Sequence, residues 1–269
     1  MSSALRIKPL QAWLLTPAQL VKDNLAQLIH AKAQSPDPLC QDTHLLFSYQ
    51  KSMMLLYHIF YYSGKRLQTM RNTYEKPDFW SRKAFAEGYP ARSVYKLEEM
   101  QKKFTLLHKH SCVLDLGAAP GSWTSYALRF LSAQGRICAV DLQPLAETIQ
   151  DPRLSFIQGD LLSAAIFQQV SAHGPYQAVI CDAAPATTGN KTVDTARSAA
   201  LVEMALYYAQ SQLSAHGNFA VKIFQGGAEH SYLKQMRQLF TTARAFKPEA
   251  CRSKSVETYL IGLDFTAAS

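Results

Sequence analysis

Between residues 112 and 265 the chain alternates short β-like runs with helical ones, and no other feature limits its fold as strongly. The β-like runs are CVLDL (112–116), RICAVD (136–141), LSFIQGD (154–160), YQAVICDA (176–183), NFAVKIF (218–224), ARAFKP (243–248) and ETYLIGLDF (257–265). Helical patterns lie between them at 121–132, 194–214 and 228–240. Strands separated by helices pair side by side in one direction, because each helix carries the chain back across the sheet. The alternation predicts an α/β fold with a mostly parallel, doubly wound sheet. A basic helical segment over about 78–104 precedes it.

In such a sheet, ligands bind beyond the carboxyl ends of the strands, at the switch point of the strand order. Four of the β-like runs end on or near an acid: Asp115, Asp141, Asp160 and Asp182. Any one of them reads equally well as a turn or cap aspartate; four at equivalent strand ends point to a site. After the first run comes GAAPG (117–121), where Gly117 and Gly121 let backbone approach a ligand before a helix opens. Asp141 closes the second run, where an acid accepts hydrogen bonds from a ribose diol. Together these predict a cofactor containing adenosine. The G-x-G-x-x-G fingerprint of dinucleotide sites needs a second glycine for the pyrophosphate, and Ala119 stands there. Pro120 removes a further backbone donor. The loop suits adenosine without a diphosphate and disfavours a nicotinamide oxidoreductase.

Charge suggests the partner. The chain carries a net charge of +8, and residues 65–110 hold eleven Lys/Arg against five acids. Aromatics are interleaved with these cations: Tyr74, Phe79, Trp80, Phe85, Tyr89 and Tyr95. Cations that meet phosphates beside rings that stack on bases suit a nucleic acid. A solvated helical face whose aromatics turn into the core would share this pattern.

The five cysteines, Cys40, Cys112, Cys138, Cys181 and Cys251, include no C-x-x-C and read as reduced and buried. His108 and His110 lack further ligands at metal-site spacing, so no metal is expected. SMMLLYHIFYY (52–62) is too short to span a bilayer and is flanked by Lys51 and Lys65. No apolar core of a secretory signal precedes it. Residues 1–22 lack acids, as transit peptides do, but are short of Arg and Ser. The expectation is a cytoplasmic protein without membrane attachment, or an organellar one if the source is eukaryotic. Helical runs at 17–34 and 43–70, separated by SPDP, make residues 1–73 a helical N-terminal extension of unknown role, distinct from a domain over 74–269.

At this point LDLGAAPGSW, AVDL, QGD, CDAAP, VKIFQG and SVETYLIG, preceded by ARSVYKL, occur in an order that resembles the RrmJ/FtsJ family of S-adenosylmethionine-dependent RNA 2′-O-ribose methyltransferases. The likeness runs from about residue 74 to 265. It implies a Rossmann-like fold and a catalytic set of Lys96, Asp182, Lys222 and Glu257. It also places S-adenosylmethionine against Gly121, Trp123, Asp141, Asp160 and Asp182, in addition to the close approach at Gly117. The family pattern has a second glycine where this chain has Ser122. Compact members of the family act mostly on large-subunit ribosomal RNA, so the resemblance implies a uridine of 23S-type RNA; a monomer is expected. A tRNA or mRNA-cap target, or an RNA-binding scaffold without catalysis, remains an alternative.

The chemistry gives these residues reasons. A ribose 2′-hydroxyl is a poor nucleophile near neutral pH, and a lysine can take its proton only if burial or a second cation lowers the lysine's own proton affinity. Lys222, in the middle of an apolar run, is the expected proton acceptor; Lys96 supplies the second cation, and Asp182 and Glu257 orient the pair. Arg92, Arg197, Arg252 and Lys254 accompany the motifs as candidate phosphate contacts, although each also reads as ordinary surface charge. The polar loop ATTGNKTVD (186–194) suits a flexible substrate lip.

Overall fold

A computed structural model describes residues 77–252 and 255–266. The expected N-terminal helical extension, the 52–62 segment, Cys40, Tyr74 and Lys254 lie outside the described residues. The elements in chain order are α1 (Phe79–Ala86), α2 (Val94–Phe104), β1 (Cys112–Leu116), α3 (Ser122–Phe130), β2 (Arg136–Asp141), β3 (Leu154–Gln158), α4 (Ala164–Ser171), β4 (Tyr176–Cys181), α5 (Lys191–Gln212), β5 (Leu213–Phe224), α6 (Glu229–Met236), β6 (Phe240–Phe246) and β7 (Glu257–Phe265).

The seven strands form one sheet in the order β3-β2-β1-β4-β5-β7-β6. The five from β3 to β5 are parallel, and β7 runs antiparallel to both β5 and β6. The chain therefore winds outward from β1 through β2 to β3, then returns to lay β4 on the other side of β1. This reversal is the switch point, beside which ligands bind in sheets of this kind.

Period-two alternation decides which helices cover which face. Val113, Ile137, Ala139, Ala178, Ile180, Ala220, Tyr259 and Ile261 share one cluster with Leu97 and Met100 of α2 and Trp123, Ala127 and Leu128 of α3. The alternate residues Leu114, Cys138, Val140, Val179, Cys181, Phe219 and Val221 point to the opposite face, and they are buried too. Helices α4 and α5 pack on β3, β4 and β5 to supply that cover.

The basic segment expected as one helix over 78–104 is two. Asp78 caps α1 by accepting from the Ser81 amide at 2.8 Å. Gly88, at φ 74°, and Pro90 then stop the helix, and α2 begins at Val94. A left-handed Thr105 ends α2, and the buried Gln101 side chain both accepts from and donates to the Leu107 backbone, which ties the turn into β1 to the helix. The eight-residue crossover helix α4 is not among the helical patterns read from the sequence. Strand β5 starts at Leu213 rather than 218 and β6 spans 240–246 rather than 243–248; pairing with β4 and β7 sets both limits. The four described cysteines are all buried and free. No helix among the described residues is long and apolar enough to cross a membrane.

Candidate active site

The loop after β1 is folded against its own neighbours. The amides of Gly117 and Ala118 both donate to Val140 O, the Ala119 amide donates to Asp141 Oδ2 at 2.9 Å, and the Gly121 amide donates to Ala118 O. Pro120 has no amide hydrogen. Every N–H from 117 to 121 is thus satisfied within the chain, and none of these is left for a diphosphate. This agrees with the expectation drawn from Ala119 and Pro120 and gives it a structural cause. Gly117 adopts φ 72°, and a Cβ there would lie 2.5 Å from the Ala183 Cβ, so the loops after β1 and β4 meet at this glycine. Gly121, at φ 106°, opens α3, and a Cβ there would lie 2.1 Å from the end of Ile149.

Asp141 closes β2, with its second oxygen accepting from the Gln143 amide at 2.8 Å. Asp160 sits just past β3 and accepts from the Leu162 amide at 3.0 Å. Trp123 is a core residue: it is 2% exposed, its indole N–H donates to Ser93 O at 2.9 Å, and its ring lies 5.8 Å from that of Tyr259. Two polar atoms under the loop have no partner, Asp115 Oδ1 and Ser122 Oγ. The other Asp115 oxygen accepts from the Thr124 hydroxyl at 2.6 Å. Burial, aided by the negative charges of Asp182 and Asp141 and opposed by the Thr124 hydrogen bond, pushes the Asp115 carboxyl up to about 7.

The second half of the site lies beside the loop after β4. Lys222, in the buried stretch of β5, donates to Asp182 O at 2.5 Å and pairs with Asp182 Oδ1 at 3.0 Å. Lys96, one turn into α2, pairs with Glu257 Oε2 at 2.5 Å. Their side chains are 7% and 9% exposed. Two lysines from distant parts of the chain are therefore buried beside two carboxylates. Burial alone would lower the Lys96 ammonium, but Asp182 and Glu257 more than reverse this and hold it above the ordinary lysine value. Burial alone would raise the Asp182 carboxyl; Lys222, Lys96 and the Tyr259 hydroxyl instead hold it below the usual carboxylate range.

Two side chains join this cluster without having been singled out from the sequence. The Tyr259 hydroxyl donates to Asp182 Oδ1 at 2.7 Å, and Cys251 Sγ lies 3.9 Å from Glu257 Oε2. Tyr259 had a signal: it follows Glu257 by two residues in a strand, so the two share a face. Cys251 had none, since it sits in the turn before β7. Among the candidate phosphate contacts, Arg92 is a strut. It donates to Asp78 and, at 2.5 Å, to Ala250 O, and so ties α1 to the segment before β7. Arg197 donates to Ala186 O at 3.1 Å and steadies the loop after β4. Arg252 is largely free, with Asp78 4.0 Å from its Nε and its side chain 72% exposed.

A doubly wound sheet with a tight glycine-bounded loop at its switch point and a buried Lys–Asp–Lys–Glu cluster beside the loop after β4 belongs to the Rossmann-like methyltransferase class. The chain is a member of the FtsJ-like methyltransferase family, which matches residues 89–265. It is 67% identical over 195 residues to the ribosomal RNA large subunit methyltransferase E of Treponema denticola, an alignment spanning 72% of this chain and 98% of that one. The protein of the same name from Oleidesulfovibrio alaskensis is 48% identical over 190 residues, spanning 70% and 91% of the two chains. In fold, the chain is similar to a Plasmodium falciparum crystal structure assigned as a ribosomal RNA methyltransferase, with a TM-score of 0.58 and 23% identity over 67% of this chain and all of that one.

Proposed function

We propose that the protein transfers a methyl group from S-adenosylmethionine to a ribose 2′-hydroxyl of large-subunit ribosomal RNA, at a uridine. The observation that carries this reading is the pairing of Lys222 with Asp182 beside that of Lys96 with Glu257, two buried lysines each held by its own carboxylate beside the loop after β4. The names of the relatives favour ribosomal RNA over tRNA or an mRNA cap.

S-adenosylmethionine fits the residues of the first loop. Asp141 ends β2, where an acid accepts from a ribose diol, Asp160 follows β3, and Asp115 Oδ1 and Ser122 Oγ are buried polar atoms without a hydrogen-bond partner. When bound, the cofactor supplies an electrophilic methyl group. The protein's own part is to place the 2′-hydroxyl in line with that methyl and to accept its proton. Lys222 Nζ is the acceptor. Lys96, kept charged by Asp182 and Glu257, is a second cation at the same carboxylate. Asp182 anchors Lys222 through both its carboxylate and its backbone carbonyl, which fixes the position of Nζ.

The test is methyl transfer from radiolabelled cofactor to large ribosomal subunits from a strain that lacks the modification, with the labelled nucleotide mapped. Label at a ribose of the large-subunit RNA is expected. Lys222→Ala should abolish transfer while cofactor binding persists, and Asp141→Ala should weaken cofactor binding. Label confined to tRNA would reject the ribosomal target. RNA binding with no transfer by the wild type would make the chain a scaffold.

A further inference from the structure

The fold sorts the aromatic side chains of the basic segment into two sets. Trp80, Tyr89 and Tyr95 turn inward onto Ala84, Val94 and Ala250. Phe79 and Phe85 point away, 62% and 55% exposed. On the 100° wheel of α1, Trp80 and Ala84 mark the inner face, and Arg82 stands opposite them with one phenylalanine on each side. Single exposed apolar residues are ordinary. Here two phenyl rings flank an exposed arginine on one short helix, and the third large exposed apolar side chain among the described residues is Val256, next to Glu257.

This face is connected to the candidate active site. Asp78, the cap of α1, is bound by Arg92, which also holds Ala250 O; Cys251 follows, with its sulfur against Glu257. Charge also selects the partner. Lys83 lies over the Trp80 and Tyr95 rings, Lys102 pairs with Glu98, and Lys103 lies over Phe246, so these cations are engaged within the chain. The nearby acids are engaged as well, Asp78 by Arg92 and Glu87 by the Tyr95 hydroxyl. Arg82, which donates once to Pro77 O, and Arg252 face solvent. Arg252, 4.0 Å from Asp78, shares that acid with Arg92, so the face presents two rings with two solvent-facing arginines against one shared acid.

We propose that the outer face of α1 (Phe79, Arg82 and Phe85), together with Arg252, docks the RNA that flanks the methylated nucleotide, with the two rings stacking on unpaired bases and the two arginines holding phosphates. This rests on the RNA substrate inferred above. Rings accept any base and arginines any phosphate, so the surface adds affinity for exposed, unpaired RNA with little sequence preference.

Steady-state methyl transfer and fluorescence anisotropy of a labelled 20-nucleotide unstructured RNA test the idea with the full chain. The double variant Phe79→Ala/Phe85→Ala should raise the RNA KM at least tenfold, about 1.4 kcal/mol, with kcat unchanged and an equal loss of oligonucleotide affinity. Tyrosine at both positions should restore KM, whereas leucine should not. Arg82→Gln should reduce the salt dependence of binding by about one counterion. An unchanged KM in the double alanine variant would overturn the proposal, whether or not its Tm falls; so would full rescue by leucine, which would mark a contact with protein. If the wild type binds the oligonucleotide through these rings but transfers no methyl group, the docking face stands and the assigned reaction falls.

Discussion

Lys222 and Tyr259 face each other across the antiparallel β5–β7 pair, and both reach the same oxygen, Asp182 Oδ1, at 3.0 and 2.7 Å. One carboxylate oxygen is thus shared by an ammonium and a phenol. The phenol is pushed well above its ordinary value, by burial first and then by the Asp182 charge, and so remains a donor. Tyr259 therefore helps fix the carboxylate that fixes Lys222.

Tyr259→Phe removes that donor and leaves the ring packed against Trp123. Asp182 keeps Lys222, so the fold should lose only about 1 kcal/mol, the usual net worth of a hydrogen bond. The expected signature is a fall in kcat of about tenfold with little change in RNA KM, and steady-state kinetics on the purified variant would check it.

The Lys96–Glu257 pair is asymmetric. The Lys96 side chain is 9% exposed and that of Glu257 25%. Removing the acid strands a buried cation, whereas removing the cation leaves an acid that reaches water. Glu257→Gln should therefore cost more stability, about 1–2 kcal/mol, than Lys96→Met in urea unfolding. Activity should rank the other way, with Lys96→Met the more damaging in kcat.

Asp115 makes stability depend on pH. Its folded value of about 7 lies above that of an ordinary carboxyl, so between the two the folded chain binds the extra proton. Stability from this group is full at low pH and falls as pH rises through about 7, by up to about 1.4 kcal/mol per pH unit. Asp115→Asn keeps an oxygen for the Thr124 hydroxyl but cannot ionise. The Tm of the variant relative to wild type should rise from pH 5 to pH 8; a difference that stays flat over that range would mean that Asp115 does not titrate there.

Gly117 and Gly189 separate steric closeness from backbone conformation. Both have positive φ, but a Cβ at Gly117 meets Ala183 whereas a Cβ at Gly189 meets nothing within 4 Å. Gly189→Ala should cost the conformational strain alone, about 1 kcal/mol. Gly117→Ala should cost more and should also lower kcat, because Ala183 follows Asp182 and is displaced with it. Thermal unfolding and kcat of the two variants give the comparison.

Local chemistry was enough to read several of these features. Alternating strand and helix patterns required a doubly wound sheet, Ala119 and Pro120 argued against a diphosphate, and Lys222 in an apolar run marked a cation held in the interior. These are properties of neighbours along the chain, where periodicity and backbone restrictions act within a few residues. The exposure of Phe79 and Phe85, the inward turn of Trp80 and Tyr95, and the use of Arg92 as a strut were not legible, because each depends on what packs against α1 from residues 250–252. The same holds for the sharing of Asp182 by Lys222 and Tyr259. The sequence by itself determined the sheet, its loop and the kinds of charged residue available to a site. Only the tertiary structure decided which charges pair and which face solvent, because pairing is set by strand register and burial between segments far apart in the chain.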